Sequence, residues 1–230
     1  MFLGHYGVAL ALKRKEPKVS LGTLFVACEL VDILWGAFLM LGWEHVRILP
    51  GDNPLLMFQF YDYPITHSLV GVLAWSLAAA ALYYSWPTRD TSRHWQAAVL
   101  VGAAVASHWV LDLLVHLRDL PIAGNDSPKL GLGLWNHLGL SIAVELVLLA
   151  AGAAVYIRGR SRRHPVRGWR LGLVLLLLIG VYAAALLGPP PPSVTAIGLS
   201  DVGFLLLMGL LGAWADRPAS AAELAPYSAR

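Results

Sequence analysis

The stretch WQAAVLVGAAVASHWVLDLLVHL, residues 95–117, decides the class of fold, because it is almost wholly apolar and contains no Lys or Arg. A helix that crosses a membrane needs about 20 consecutive, mostly apolar residues. The rest of the chain has the same character: 57% of its 230 residues are hydrophobic, only 13% are charged, and the mean hydropathy is +0.63. We therefore expect an all-α integral membrane protein.

Apolar runs of this length recur along the chain and predict six transmembrane helices. They cover residues 20–43, 66–86, 95–117, 134–157, 169–188 and 195–214. Six of the nine tryptophans fall at or beside their ends, where the indole ring prefers the headgroup level. Residues 1–12 are too few to span, so we predict a short N-terminal helix that enters the membrane from the charged run Lys13-Arg14-Lys15.

The distribution of basic residues predicts the orientation. All but three of the 17 Lys and Arg residues lie on one side of the predicted spans, and the exceptions are Arg47, Arg118 and Lys129. Because basic loops stay in the cytoplasm, we expect both termini there. We divide the chain into residues 1–157, a basic cytoplasmic loop at 158–170, two additional transmembrane helices at 171–214 and a disordered tail at 215–230. The basic residues form no continuous face, so no nucleic-acid partner is expected.

Five acids lie inside the predicted spans, and no Lys or Arg lies deeper than the ends of those spans. The acids are Glu29, Asp32, Asp112, Glu145 and Asp201. A carboxylate at membrane depth is normally protonated, paired, or turned toward a polar cavity. The partners that the sequence offers are histidines and a bound cation.

The third predicted helix carries His108, Asp112 and His116 at a spacing of four, which places all three on one face. Histidine and aspartate at this spacing can direct two donor atoms at one ion. Cys28 is the single cysteine, so a thiolate cage is excluded, and nitrogen and oxygen ligands favour zinc, manganese or iron. The alternative is a hydrogen-bonded pair that holds helices together.

Four short motifs that contain histidine or aspartate follow one another along the chain. They are Gly4-His5, Leu30-Val31-Asp32, Thr66-His67-Ser68 and Ser107-His108-Trp109-Val110-Leu111-Asp112. In this order they resemble a family of bacterial inner-membrane proteins described as membrane-bound metal-dependent hydrolases, and one branch of that family is similar also over residues 44–47, 119–121 and 131–136. The resemblance covers residues 4–157 and implies a multi-pass protein of the bacterial inner membrane. It also implies a ligand set of His5, Asp32, His67, His108 and Asp112.

Leu34 stands where better-known members carry a second aspartate, so the number of ions stays open between one and two. We expect a hydrolase that uses a divalent metal, zinc in the first place, on a lipid or lipid-linked phosphoester or ester at the extracytoplasmic leaflet. Glu29 or Glu145 would accept the proton, and His116 and His137 would hold a ligand in place or contact the substrate.

A different class of function uses the same residues. A transporter or channel could pass protons or metal ions along the intramembrane histidines and acids, and haem ligation by two membrane histidines is a third interpretation. Membrane lipids are the expected partners in each case. The sequence leaves the oligomeric state open.

Overall fold

A computed structural model describes residues 1–86, 94–159 and 168–217 of the chain. Its helices are α1 (Leu3–Lys15), α2 (Leu21–Cys28), α3 (Leu30–Leu41), α4 (Pro64–His67), α5 (Leu69–Ser85), α6 (His94–Val115), α7 (Leu138–Gly159), α8 (Gly168–Leu187) and α9 (Val194–Ala215). Its strands are β1 (His45–Ile48), β2 (Phe58–Asp62), β3 (Leu120–Pro121) and β4 (Lys129–Leu130), and 3₁₀ turns lie at Pro54–Leu56 and Leu134–Asn136. Most of the predicted basic loop, residues 160–167, and the predicted tail from residue 218 onward lie outside the described residues.

Four of the described helices, α6, α7, α8 and α9, are long and apolar enough to cross a membrane, and the pair α2 and α3 makes a fifth if it is counted as one span. The predicted all-α fold with several helices that could span a membrane is confirmed, whereas the predicted count of six spans is not. The predicted span at residues 66–86 corresponds to a shorter helix. α5 begins only at Leu69, because Ser68 has extended geometry and its hydroxyl accepts a hydrogen bond from the backbone N–H of Gly71 at 2.9 Å.

The predicted span at residues 20–43 is broken in its middle. α2 and α3 meet at Glu29 with a bend of 54°. At the break, the carbonyl oxygen of Cys28 lies 2.8 Å from Nδ1 of His108 on α6. Irregular backbone at membrane depth needs such an internal partner, because lipid offers none. Neither glycine nor proline stands at the break, which is why hydropathy alone predicts a continuous helix there.

α1 packs within the bundle, chiefly against α7. Gly7 and Gly152 meet backbone to backbone, since a Cβ on Gly152 would lie 2.0 Å from the carbonyl oxygen of Gly7. Glu145 accepts hydrogen bonds from the backbone N–H groups of Phe2 and Gly4 at 2.8 and 2.7 Å, which satisfies donors that a helix N-terminus leaves unpaired. These contacts hold α1 at a fixed depth in the bundle.

α9 packs along the broken helix through small residues. A Cβ on Gly22 of α2 would lie 2.3 Å from the carbonyl oxygen of Gly209, and a Cβ on Gly198 would lie 2.5 Å from that of Gly36 in α3. Close backbone approach of this kind is the usual way in which membrane helices associate. α8 contacts α9 and α1, so the last two helices, predicted as an addition to residues 1–157, belong to the same bundle.

The loops that carry the strands lie at one end of the bundle. β1 pairs with β2 and β3 pairs with β4, both antiparallel. Asp62 connects the two loops, because it accepts a hydrogen bond from Asn125 and pairs with Nδ1 of His45 at 2.6 Å. Partial burial raises the pKa of Asp62, but the hydrogen bonds from Asn125 and His45 hold it below its ordinary value.

Candidate metal centre

The structure brings the five residues predicted as ligands into one cluster in the interior of the bundle. His5 comes from α1, Asp32 from α3, His67 from α4, and both His108 and Asp112 from α6. Four of them are buried and Asp32 is partly buried. Residues that are up to 107 positions apart in the sequence thus meet at one place, as the order of motifs suggests.

Two carboxylates stand at the centre of the cluster. Asp112 Oδ2 lies 3.1 Å from Nε2 of His108 and 3.9 Å from Nε2 of His67. Asp32 Oδ1 lies 3.1 Å from Nε2 of His67 and 3.5 Å from Nε2 of His108. Both imidazoles therefore face both carboxylates through the same ring nitrogen.

The tautomer of His108 follows from its second contact. Its Nδ1 lies 2.8 Å from the carbonyl oxygen of Cys28, and a carbonyl oxygen can only accept, so Nδ1 carries the hydrogen. In the neutral ring, Nε2 then presents a lone pair to the carboxylates. Among the described residues, this buried Nε2 has no hydrogen-bond partner.

His67 is oriented in the same way by a chain of two hydrogen bonds. The hydroxyl of Thr66 donates to Oε2 of Glu44 at 2.6 Å, so its oxygen accepts from Nδ1 of His67 at 2.7 Å. The other oxygen of Glu44 accepts the backbone N–H of Thr66 at 2.9 Å. Glu44, Thr66 and His67 are all buried, so this chain fixes the ring and leaves Nε2 of His67 directed at Asp32.

His116 repeats the arrangement at the end of α6. Its Nδ1 lies 3.0 Å from Oδ1 of Asp119 and 3.4 Å from the hydroxyl of Tyr63, while its Nε2 lies 3.7 Å from Oδ2 of Asp112. A carboxylate beyond Nδ1 holds the imidazole with Nε2 toward the cluster. His116 was predicted to support a ligand or contact the substrate, and the structure brings it to the edge of the cluster.

Three imidazoles are thus anchored through Nδ1 and turned inward through Nε2. A lone pair on Nε2 and the lone pairs of a carboxylate oxygen repel each other. They can lie close together only when a positive charge is between them, either a proton on the ring or a metal ion. Outer hydrogen bonds that fix the tautomer in this way are typical of histidines that bind metal. Ligand atoms of His67, His108 and Asp112 lie within 4.8 Å of one another, so they could hold one divalent ion.

His5 and Glu29 also lie next to His108. The rings of His5 and His108 are stacked, with centroids 4.0 Å apart and an interplanar angle of 4°. His5 Nε2 lies 3.3 Å from Oδ1 of Asp112, and the ammonium group of Met1 lies 2.6 Å from the same oxygen. Oδ1 of Asp112 therefore pairs with the ammonium group, while Oδ2 faces the Nε2 atoms of His67 and His108.

Two predicted site residues have other positions. Glu145, predicted as a proton acceptor, uses both oxygens to bind the start of α1 through Phe2 and Gly4. His137 is exposed just after the 3₁₀ turn Leu134–Asn136, and the structure does not bring it to the cluster. Its predicted place beside the substrate depended on its being at a helix end near the predicted ligands. α7 begins only at Leu138, and the His137 side chain before it is exposed.

A cavity of about 400 Å³ opens onto the cluster. Its polar lining comes chiefly from Asp32, His67, Asp112 and His116, joined by Asp201 and Ser200 of α9. The rest is apolar and comes from α3, α8, α9 and the loops. It includes Trp35, Leu55, Met57, Phe58, Phe60, Trp135, Val181, Tyr182, Ala185, Leu186, Ile197, Phe204 and Leu205. The cavity therefore joins a polar floor to long apolar walls.

Sequence reasoning missed the three residues that orient the imidazoles from outside. Asp119 stands three positions after His116, and that spacing at a helix end is a usable signal. Tyr63 comes just before the Thr66-His67 motif and also reaches His116. Glu44 is 22 residues from Thr66, and no periodicity connects them, so only the fold reveals its contact.

Comparison of the chain with protein-family models, curated proteins and solved structures finds no match. The resemblance of its motifs to metal-dependent hydrolases therefore stays a prediction. The function has to be inferred from the geometry of the site, which consists of inward Nε2 atoms, two buried carboxylates and an adjoining cavity.

Proposed function

We propose that this chain is a membrane metalloprotein in which His67, His108 and Asp112 hold a divalent cation, with Asp32 beside it. The observation that carries the proposal is the common orientation of the imidazoles. Each has its Nδ1 anchored to an acceptor and its Nε2 turned to the carboxylates. Helix-to-helix hydrogen bonding alone needs no such common orientation, whereas a shared ion does.

The donor atoms favour zinc, with manganese or iron as the other candidates. Imidazole nitrogen and carboxylate oxygen suit these ions, while copper(I) would call for sulfur and magnesium keeps mostly water and oxygen. The single thiol, Cys28, is buried and lies 4.0 Å from Ser107 Oγ. We therefore assign it no part in the ligand set.

We further propose that the protein hydrolyses a lipid or lipid-linked phosphoester or ester. A bound divalent cation supplies two things, a water whose pKa is lowered toward about 7 and polarisation of an ester or phosphoryl oxygen. The cavity suits an amphiphile, because apolar walls from α8 and α9 lead to a polar floor. His116 is placed on that floor to donate or accept a hydrogen bond with the polar head of a substrate.

Neither acid predicted as the proton acceptor lines the cavity. Glu145 accepts hydrogen bonds from the backbone at the start of α1, and Glu29 lies next to His5 and His108. We therefore assign neither of them a contact with substrate. His116, which was predicted to have only a supporting role or a contact with the substrate, lines the cavity, and Asp119 contacts its Nδ1.

The topology that goes with this function has six spans. α5, at 17 residues, is about 25 Å long, close to the thickness of a hydrocarbon core, and α2 with α3 forms one broken span. The loops at the cavity end contain Arg47, Arg118 and Lys129. The other 14 Lys and Arg residues of the sequence lie on the opposite side of the predicted spans. By the positive-inside rule the cavity opens on the extracytoplasmic side of a bacterial inner membrane, while the C-terminus and the basic run Lys13-Arg14-Lys15 at the end of α1 are cytoplasmic. Met1 itself lies in the bundle against Asp112 and not in the cytoplasm.

Transport through the same cluster is the competing function. It requires a second polar path from the cluster to the opposite side of the membrane. On that side, the described residues next to His5 and Glu29 include the fully buried Leu10, Leu24 and Phe25. This apolar packing favours a site reached from one side, as an enzyme requires.

The test is metal-dependent turnover by purified protein in lipid–detergent micelles. We expect hydrolysis of a fluorogenic long-chain phosphodiester or acyl ester by the zinc-loaded wild type, loss of turnover on chelation and in His67→Ala, and full activity in His137→Ala. No turnover of either ester, together with zinc uptake into proteoliposomes that His67→Ala abolishes, would replace the hydrolase by a transporter.

A further inference from the structure

We infer that a second divalent cation binds next to His108, between His5, Glu29 and Asp32. The inference rests on the proposed function in one respect only, that the neighbouring set of His67, His108 and Asp112 holds the first ion. It changes the role of Glu29 from a predicted proton acceptor to a metal ligand.

Unpartnered polar atoms mark this second position. Both ring nitrogens of His5 and both carboxylate oxygens of Glu29 are buried, and among the described residues none of the four makes a hydrogen bond. The two residues are 0% and 1% exposed. Nε2 of His5 lies 3.3 Å from Oδ1 of Asp112, but that oxygen already pairs with the Met1 ammonium group. A buried polar group without a partner is costly, and a buried carboxyl group without one is more so. Two such side chains beside one cluster indicate that both contact a bound ligand.

The unpartnered atoms converge. One ligand atom each from His5, Glu29, Asp32 and His108 lies within 4.8 Å of the others. This set differs from the first in His5, Glu29 and Asp32, and the two sets share His108. Since Nε2 of His108 has one lone pair, it serves one ion, and the second ion depends on the other three residues.

Charge points to a cation and not to another protein group. Glu29, Asp32 and Asp112 are three acids in one buried region. Asp112 has the Met1 ammonium group at 2.6 Å, and Asp32 has Nε2 of His67 at 3.1 Å. Glu29 has no comparable contact in the described part of the chain. A divalent ion between His5, Glu29 and Asp32 supplies the positive charge that Glu29 lacks.

The fold explains how these residues come to one point. Glu29 stands at the break between α2 and α3, where the helix changes direction by 54° and the side chain turns into the bundle. His5 is carried into the bundle by α1, whose position is fixed by the contact of Gly7 with Gly152 and by Glu145. The site is thus formed by the two irregular features that distinguish this bundle from a set of straight spans.

The ligand class is a divalent ion that accepts one imidazole nitrogen and carboxylate oxygens, such as zinc, manganese or iron. Asp32 adjoins both positions, because its Oδ1 faces Nε2 of His67 and one of its oxygens belongs to the second set. Two neighbouring ions held by carboxylates are an arrangement that hydrolases of phosphoesters use.

Zinc titration of metal-free protein tests the inference. We expect two zinc ions per chain in the wild type and in His137→Ala, and one in Glu29→Gln, which keeps the size of the side chain. One ion in both the wild type and Glu29→Gln would overturn the second site and leave the first intact. Loss of an ion in Glu29→Gln with no loss in His67→Ala would keep the second site and overturn the first, and no zinc in the wild type would overturn both.

Manganese provides a readout that does not depend on a variant that folds. In the wild type saturated with Mn²⁺, we expect the electron paramagnetic resonance spectrum of two exchange-coupled ions. His5→Gln should give the spectrum of an isolated ion instead. A spectrum of isolated ions in the saturated wild type would contradict two adjacent sites, whatever the behaviour of Glu29→Gln.

Discussion

Nδ1 of His108 lies 2.8 Å from the carbonyl oxygen of Cys28, so the break in the membrane helix and the orientation of a central imidazole are one feature. The break frees a backbone acceptor that a continuous helix would use internally. That acceptor fixes the hydrogen on Nδ1 and turns Nε2 toward Asp112. The irregular helix therefore contributes directly to the proposed metal centre.

Thr66→Val should weaken metal binding without unfolding the protein. The substitution removes the hydroxyl that accepts from His67 and donates to Glu44, so the ring loses its fixed tautomer. Loss of such an outer hydrogen bond typically lowers metal affinity by about 10–100-fold. Competition with a fluorescent chelator measures the change. The matched control is Ser76→Ala, which removes a buried hydroxyl from α5. Equal metal affinities in the two variants would refute the role of Thr66.

Gly152→Ala should separate α1 from α7. The new Cβ would stand 2.0 Å from the carbonyl oxygen of Gly7, which is backbone and cannot turn away. We expect a loss of about 1–3 kcal/mol in the free energy of unfolding and a lower metal content, because His5 moves with α1. Gly139→Ala on the same helix, where a Cβ meets nothing within 4 Å, should leave both unchanged. Thermal unfolding in detergent measures the difference, and identical curves for the two variants would contradict the packing.

Metal removal should lower thermal stability much more in the wild type than in a variant without the first site. A ligand that binds the folded state alone stabilises it by about 2.7 kcal/mol at a free concentration of 100 times its Kd. Chelation should therefore lower the unfolding temperature, and added zinc should restore it. The His67→Ala, His108→Ala double variant should respond much less. A wild type that unfolds at the same temperature with and without zinc would argue against a buried ion.

Ala185→Trp should block the cavity and leave the metal in place. Ala185 of α8 lines the cavity wall, away from the cluster. We expect turnover of a long-chain ester to fall by at least about tenfold, which corresponds to about 1.4 kcal/mol, with metal content unchanged. Ala184→Trp places the same side chain one position earlier on the helix, where the residue is exposed and does not line the cavity. Equal turnover in the two variants would mean that substrate does not use this cavity.

Asp62→Asn should loosen the loops at the cavity end in a pH-dependent way. Partial burial raises the pKa of Asp62, and the hydrogen bonds from Asn125 and His45 lower it further than burial raises it. The ionised group therefore stabilises the loops above the ordinary pKa of about 3.9, and this contribution is lost as the pH falls through the lowered value. Hydrogen exchange in β1 and β2 should show less protection in the variant at pH 7. The difference should shrink in acid, and a constant difference would contradict this assignment.

The sequence predicted the class of fold and the cluster better than it predicted the helix boundaries. Membrane acids without basic partners, such as Asp32 and Asp112, have few ways to be stable, so their mere presence at membrane depth is informative. The break at Glu29 could not be predicted, because no glycine or proline marks it and the contact at Cys28 comes from His108, 80 positions away.

Side-chain roles were harder to predict than positions. Glu145 and Glu29 are both buried acids in apolar helices, and nothing local distinguishes them. One binds the backbone of α1 and the other has no hydrogen bond among the described residues. His137 was assigned by its place at a predicted helix end, but a 3₁₀ turn precedes α7 and leaves the ring exposed. Such distinctions depend on tertiary contacts that hydropathy and spacing do not encode.

The metal content of purified protein shows whether His67, His108 and Asp112 hold an ion. Elemental analysis should compare the wild type, His137→Ala and a His108→Ala, Asp112→Ala double variant, each purified in the same detergent after zinc loading and dialysis. We expect the wild type and His137→Ala to retain zinc, and the double variant to lose the ion held by His67, His108 and Asp112. Equal zinc in the double variant and the wild type would show that these side chains do not hold a metal ion.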